Sequence, residues 1–183
     1  MNICVYGAAS QRIDGAYLSA AEDLGRALAK RGFTLVFGGG ETGVMGATAR
    51  GAASVGGEII GIAPKFFDQE GVLYQSCTQF HFTETMRQRK ELMESLSDAF
   101  VMAPGGIGTL EEFFEILTLR QLGRHDKPIF ILNTRGYYNA LGQMLEEAVH
   151  QGFLEESGLA LYRMVEDAEE LAEELTHILH TRE

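Results

Sequence analysis

The chain has 183 residues and carries 15 Lys and Arg against 26 Asp and Glu, a net charge of −11. That length favours one domain, expected over residues 1–183, burying roughly 70% of the surface its unfolded chain exposes. The acidic balance excludes a protein whose main task is to neutralise nucleic-acid phosphates, and no apolar run approaches the roughly 20 residues that cross a bilayer. The N-terminus shows no basic stretch followed by an apolar one, and two cysteines, Cys4 and Cys77, are too few for a disulfide framework or a cysteine-rich zinc site. The expectation is an acidic cytoplasmic protein without a nucleic-acid or membrane partner.

In chain order, Asn2 to Tyr6 reads as a buried strand ending at Gly7, with Cys4 a buried thiol. Asp14 caps a helix whose Tyr17, Ala21, Leu24 and Leu28 share a face, and Gly32 lies beyond its end. Phe33 to Phe37 is a second strand running into Gly38-Gly39-Gly40, followed by a small-residue helix over 43–54 and a strand over 58–63. Residues 64–79 lack periodicity and read as a long loop near a site. A brief strand over 80–83 precedes a helix capped by the Thr85/Gln88 pair and running to about Ser97. A strand over 99–103 feeds Pro104-Gly105-Gly106-Ile107-Gly108-Thr109, then a helix with Leu110, Phe113, Phe114 and Leu117 on its apolar side. Residues 128–132 form a strand, 137–151 a helix closed by Gly152, 161–165 a last strand and 168–180 an acidic helix. Short apolar strands alternating with amphipathic helices predict an α/β fold: a Rossmann-like open, mostly parallel sheet with helices on both faces. Right-handed crossovers then collect both glycine loops at the carboxyl edge, where such sheets bind ligands.

Most of the 22 glycines follow apolar runs and precede helical patterns. Gly38, Gly40 and Gly43 fit G-x-G-x-x-G, but after the second strand, and Glu58 is misplaced for a ribose-binding acid, so a nicotinamide-dependent dehydrogenase is discounted. A Walker A loop is excluded because the chain has no Gly-Lys pair. Two glycine loops at one edge, each opening a helix, favour a phosphate through positive φ, close backbone approach and the helix dipole. Glu111 and Glu112, read as lying in the first helical turn, either complement that dipole or serve a ribose hydroxyl or a developing positive charge. Arg89, beside Lys90, shares a helix side with Met86 and Met93: a snorkelling side chain, an ion pair at a subunit interface, or a site residue. The five histidines show no metal spacing, there is no serine elbow, and Tyr137 and Tyr138 read as packing residues.

Pro104-Gly105-Gly106-Ile107-Gly108-Thr109-Leu110-Glu111-Glu112 resembles the P-G-G-x-G-T-x-x-E signature of the Lonely guy family, the cytokinin riboside 5′-monophosphate phosphoribohydrolases. Residues 38–46 are similar to its G-G-G-x-x-G-L-M-G, and residues 86–90 to its M-x-x-R-K. Lys127-Pro128-Ile129, Asn133, Gly136-Tyr137-Tyr138 and Gly152-Phe153 also fall where the family has them. One departure stands out: Ala8-Ala9-Ser10 replaces the family's Gly-Ser-Ser.

The resemblance implies a homodimer with active sites near the subunit interface, hydrolysing a nucleoside monophosphate to base and ribose 5-phosphate. It implies Arg89 and Glu112 as the catalytic pair. The substrate-binding set is Lys90, Gly105, Gly106, Ile107, Gly108, Thr109, Leu110, Glu111 and Thr118, joined by Gly39, Gly40, Gly43 and Ser10. No metal and no organic cofactor is implied. The family's older label, lysine decarboxylase, fits poorly, because decarboxylation needs an electron sink such as pyridoxal phosphate and none of the four lysines has a Schiff-base context. The apolar helices after Thr85 and Thr109 also argue for a dimer. Two alternatives remain at this point: cleavage of unmodified AMP, or a nucleotide or cofactor carrier of the same fold.

Overall fold

Each short apolar strand must hide both of its faces, and a computed structural model, describing residues 1–181, shows how. Among these residues seven strands form one parallel sheet: β1 (Asn2–Tyr6), β2 (Thr34–Phe37), β3 (Ile59–Pro64), β4 (Gln79–Thr83), β5 (Ala99–Met102), β6 (Ile129–Leu132) and β7 (Arg163–Val165). Their order is β4-β3-β2-β1-β5-β6-β7, with Ile3 in register with both Leu35 and Ala99. Alternate side chains enter two cores. Ile3, Val5, Leu35, Phe37, Val101 and Leu132 lie under α1 (Gly15–Lys30), α2 (Gly43–Ala53) and α6 (Ala168–His180). Cys4, Tyr6, Val36, Phe100, Met102 and Ile131 lie under α3 (Met86–Leu96), α4 (Ile107–Gln121) and α5 (Asn139–His150). Cys4 is fully buried, and burial pushes its thiol up to about 12.

The expected α/β sheet is therefore present, and the Thr85/Gln88 capping box forms on α3 with both reciprocal bonds made. Several boundaries differ from expectation. Residues 64–79 are partly ordered by pairing: β3 continues to Pro64, a 3-10 turn spans Lys65–Phe67, and Leu73 bridges back to Gly40. Glu41 N–H donates to Val72 O and Tyr74 N–H to Gly39 O, each at 2.9 Å, so this segment buttresses the first glycine loop. α5 starts at Asn139, not Tyr137, because the Asn133 side chain takes the Tyr138 amide (2.7 Å) after a 3-10 turn over Thr134–Gly136. β7 starts at Arg163, since Leu161 closes another 3-10 turn, Glu156–Leu161.

The small residues of α2 have a packing cause. A Cβ on Gly25 of α1 would lie 1.9 Å from Thr48 O, and one on Gly51 would lie 2.0 Å from Glu22 O. The helices thus touch backbone to backbone, which only glycine permits here. Gly25→Ala should lower the urea midpoint with an unchanged slope, costing about 3 kcal/mol or more, because the colliding atoms are backbone.

Candidate active site

β1 lies between β2 and β5, and the connections leave it in opposite directions, so a crevice opens outside its carboxyl end. It forms a cleft of about 300 Å³ lined by Ala8, Ser10, Arg12, Tyr17, Gly105, Gly106 and Tyr137, among others. Asp14, Thr85 and Asp167 cap α1, α3 and α6 with their side chains, whereas α4, like α2 and α5, has no side-chain cap, its N-cap being Gly106. The leading amides of α4 thus remain available to a ligand at the positive end of a 15-residue helix.

The two glycine loops work differently. Gly39 and Gly43 adopt positive φ (75° and 66°), and a Cβ on Gly43 would meet Ala8 O at 2.4 Å, pinning this loop to the one after β1. Thr42 Oγ1 donates to Ala9 O (2.7 Å) and Met45 N–H to Ala8 O (3.2 Å) in the same seam. Gly40 packs on Met45. In the second loop Gly105, Gly106 and Gly108 do not use positive φ. Gly105 is required because a Cβ would strike Thr109 Oγ1 at 2.1 Å, while Gly106 and Gly108 face open space. Their lack of side chains bares the helix start.

Arg89 is buried, with only 7% of its surface exposed. Its Nε donates to Ile62 O of β3 (3.1 Å), and Nη1 lies 3.3 Å from Glu112 Oε1. Space for the guanidinium comes from Gly38, where a Cβ would sit 1.9 Å from Nη2. The snorkelling and subunit-interface readings give way to an ion pair within one chain. Glu112 lies one turn beyond Gly108 on α4, and helical side chains lean toward the N-terminus, so its carboxyl lies on the face that Gly108 leaves open. Burial pushes this carboxyl up to about 7, against the pull of Arg89. The first-turn placement of Glu111 and Glu112 is corrected: α4 already starts at Ile107, so both fall in the second turn, where the dipole's influence fades.

Lys90 pairs with both Glu111 and Glu115. Partial burial pulls its pKa down, but these carboxylates outweigh it and the net shift is upward, opposite to what a Schiff-base nucleophile needs. The structure thus gathers Arg89, Glu112, Lys90 and Glu111 beside the α4 start, with Ser10 and Gly105–Gly106 at the cleft. Of the other expected residues, Ile107 supplies the first α4 amide while its side chain is 88% exposed, the Leu110 side chain packs against the α3–α5 core, and Thr118 lies exposed about 13 Å along α4 from Thr109.

Sequence reasoning passed over Arg12, Tyr17, Tyr137 and Arg135. Tyr137 Oη donates to Gly105 O (2.9 Å), tying the β6–α5 connection to the second glycine loop, and its ring meets Tyr17 edge-on at 5.7 Å. Tyr138 is the packing residue, with its hydroxyl on Ala103 O. The family's Gly-Tyr-Tyr spacing was the one signal that could have marked Tyr137. Among the described residues no group of three or more His, Cys, Asp or Glu is arranged to hold a metal ion, and no helix is long and apolar enough to cross a membrane.

A parallel sheet with glycine-led helices at its switch point, and an Arg–Glu pair beside them, defines a Rossmann-like α/β protein with a candidate site at that edge. Comparison with known proteins narrows this class. Residues 45–175 match the family model described as possible lysine decarboxylase. The chain is 39% identical over 173 residues to cytokinin riboside 5′-monophosphate phosphoribohydrolase LOG3 of Arabidopsis thaliana, covering 94% of this chain and 80% of that one. It is 42% identical over 139 residues to the cytokinin riboside 5′-monophosphate phosphoribohydrolase of Rhodococcoides fascians (75% and 70% covered). The chain belongs to this family, the Lonely guy family. The fold is shared with the molybdenum cofactor binding protein of Rippkaea orientalis, at a TM-score of 0.76 and 23% identity over 97% of this chain and 96% of that one.

The raised Glu112 carboxyl has a thermodynamic consequence. Its native pKa of about 7 exceeds the ordinary 4.5, so the folded state holds this proton more tightly than the unfolded chain. That contribution to stability is complete below about pH 4.5 and is lost as pH rises through about 7. Urea midpoints of Glu112→Gln, measured across pH 4.5 to 8, should lack this part of the decline seen in the parent.

Proposed function

We propose that the protein hydrolyses the N-glycosidic bond of an adenosine 5′-monophosphate, N6-modified or plain, releasing the free base and ribose 5-phosphate. The observation that carries this reading is the buried Arg89–Glu112 pair beside the uncapped start of α4. A carrier needs the amides but not a carboxylate held near neutrality beside them. The names of the relatives, 39% and 42% identical, support the same activity.

In this reading the α4 amides and Ser10 hold the 5′-phosphate, and Lys90 keeps the Glu111 carboxylate from repelling it. The glycosidic bond breaks with its electron pair leaving on the base nitrogen, building oxocarbenium character on the ribose. Ionised Glu112 stabilises that charge and takes a proton from the water attacking C1′; the departing base gains a proton in turn. Arg89 orients Glu112 and stabilises the leaving base. A pKa near 7 suits such a base, so kcat/KM should rise with pH and level off above about 7.

Base release from AMP and from isopentenyl-AMP, followed by chromatography, tests the reading. Glu112→Gln should lower kcat by roughly a hundredfold or more while nucleotide still binds. Arg89→Ala and Arg89→Lys should both fail, since a planar fork is not replaced by a point charge. A parent that binds nucleotide but frees no base would make the protein a carrier.

The homodimer belongs to the same proposal. α4 leaves Ile107 and Leu122 88% and 66% exposed, with half-buried Leu110, Phe114 and Leu117 between them. A second copy is the proposed cover for this face, and Thr118 serves there and not its own cleft. Sedimentation should find a dimer at micromolar protein, and Leu117→Glu should dissociate it.

A further inference from the structure

The cleft wall opposite the α4 start carries charged groups that the mechanism leaves idle. Arg12 lines this wall with Ser10, and its amide donates to Ser10 Oγ at 3.2 Å, turning the short loop so that both residues face one space. Asp14 lines the cleft too and would repel a phosphate, but both its oxygens are engaged. Oδ1 accepts the Ala16 amide at 2.8 Å, and Oδ2 lies 3.4 Å from Arg135 Nη1.

Arg135 makes this bridge from a left-handed backbone (φ 56°), the one non-glycine residue so placed among those described. Its guanidinium also rides 5.9 Å above the Tyr17 ring. A side-chain-bearing residue persists there only where its surroundings over-determine it, and the contacts to Asp14 and Tyr17, 121 and 118 positions away, do so. With Asp14 answered by Arg135, the positive charge of Arg12 has no ion-pair partner among the described residues. In a chain of net charge −11, that leaves an unanswered guanidinium on the wall facing bare helix amides. The loop that carries it reads Ala8-Ala9-Ser10 and offers one hydroxyl, that of Ser10.

We propose that Arg12 selects the 5′-phosphorylated nucleotide over the free nucleoside, closing its guanidinium fork on the phosphate from the side opposite α4. This rests on the phosphate placement given above. The fork matches phosphate geometry with two parallel bonds, and the ligand's charge compensates the arginine.

The test measures ribose 5-phosphate affinity by calorimetry, and turnover of AMP and of adenosine, in the parent, Arg12→Ala and Arg12→Lys. Arg12→Ala should weaken ribose 5-phosphate binding and raise KM for AMP by roughly 10- to 100-fold. Its kcat should stay within about threefold, because the contact is the same in ground and transition states. Its affinity should depend less steeply on salt, and Arg12→Lys should recover part of the loss. Whatever adenosine turnover exists should be unchanged. Unaltered ribose 5-phosphate affinity in Arg12→Ala overturns the proposal, as does an equal loss toward AMP and adenosine, or a parent that does not bind ribose 5-phosphate. Arg12-dependent binding without base release would leave this proposal standing and remove the hydrolase reading; base release indifferent to Arg12 would do the reverse.

Discussion

A buried arginine, only 7% of its surface exposed, must have its charge answered by neighbours, and the answers given to Arg89 organise the candidate site of this protein. A carbonyl of β3 takes its Nε, a carboxylate of α4 takes Nη1, and the glycine just after β2 leaves room for it. One side chain from α3 thereby ties β3 to a neighbouring helix. Burying such a pair is expensive, and stability alone does not explain keeping it. Removing one partner strands the other charge, at a cost on the order of 3–5 kcal/mol. The same desolvation that makes the pair costly holds Glu112 near neutrality, where a carboxylate can exchange a proton at physiological pH.

The cleft completes this arrangement from the other side of the sheet edge. Strand order reverses at β1, which separates the loops after β1 and β5 and leaves room between them. Backbone contact then sets the walls: Gly43 against Ala8, Tyr137 on Gly105, and the 64–79 segment clipped to the first glycine loop. Rigid walls with a bare helix start between them are a preorganised environment for an anion, with little left to reorganise when charge arrives.

Much of this was legible in the chain. Apolar runs too short for helices, alternating with 3.6-residue patterns, are a local signal, and they located every strand and helix to within a few residues. The P-G-G-x-G-T-x-x-E and M-x-x-R-K spacings put Glu112 and Arg89 on the short list through resemblance. What misled was local too. Glycine read as conformational freedom in the second loop is glycine as missing bulk, and Glu111 and Glu112 read as first-turn acids lie a turn deeper because α4 starts inside the motif. Arg12 and Arg135 carry no periodicity and no local pattern could mark them, and only the Gly-Tyr-Tyr spacing pointed to Tyr137.

By itself, then, the sequence determined the fold class and the family and pointed to the sheet's carboxyl edge for the site, because hydrophobic period and motif spacing are properties of neighbours in the chain. The tertiary structure decided which charges meet. Arg89 finds Glu112 23 residues on, Arg135 finds Asp14 121 residues back, and Arg12 is left unanswered. Those outcomes depend on strand order and on space opened by glycines in distant segments, and electrostatics acts through distance in space, not along the chain.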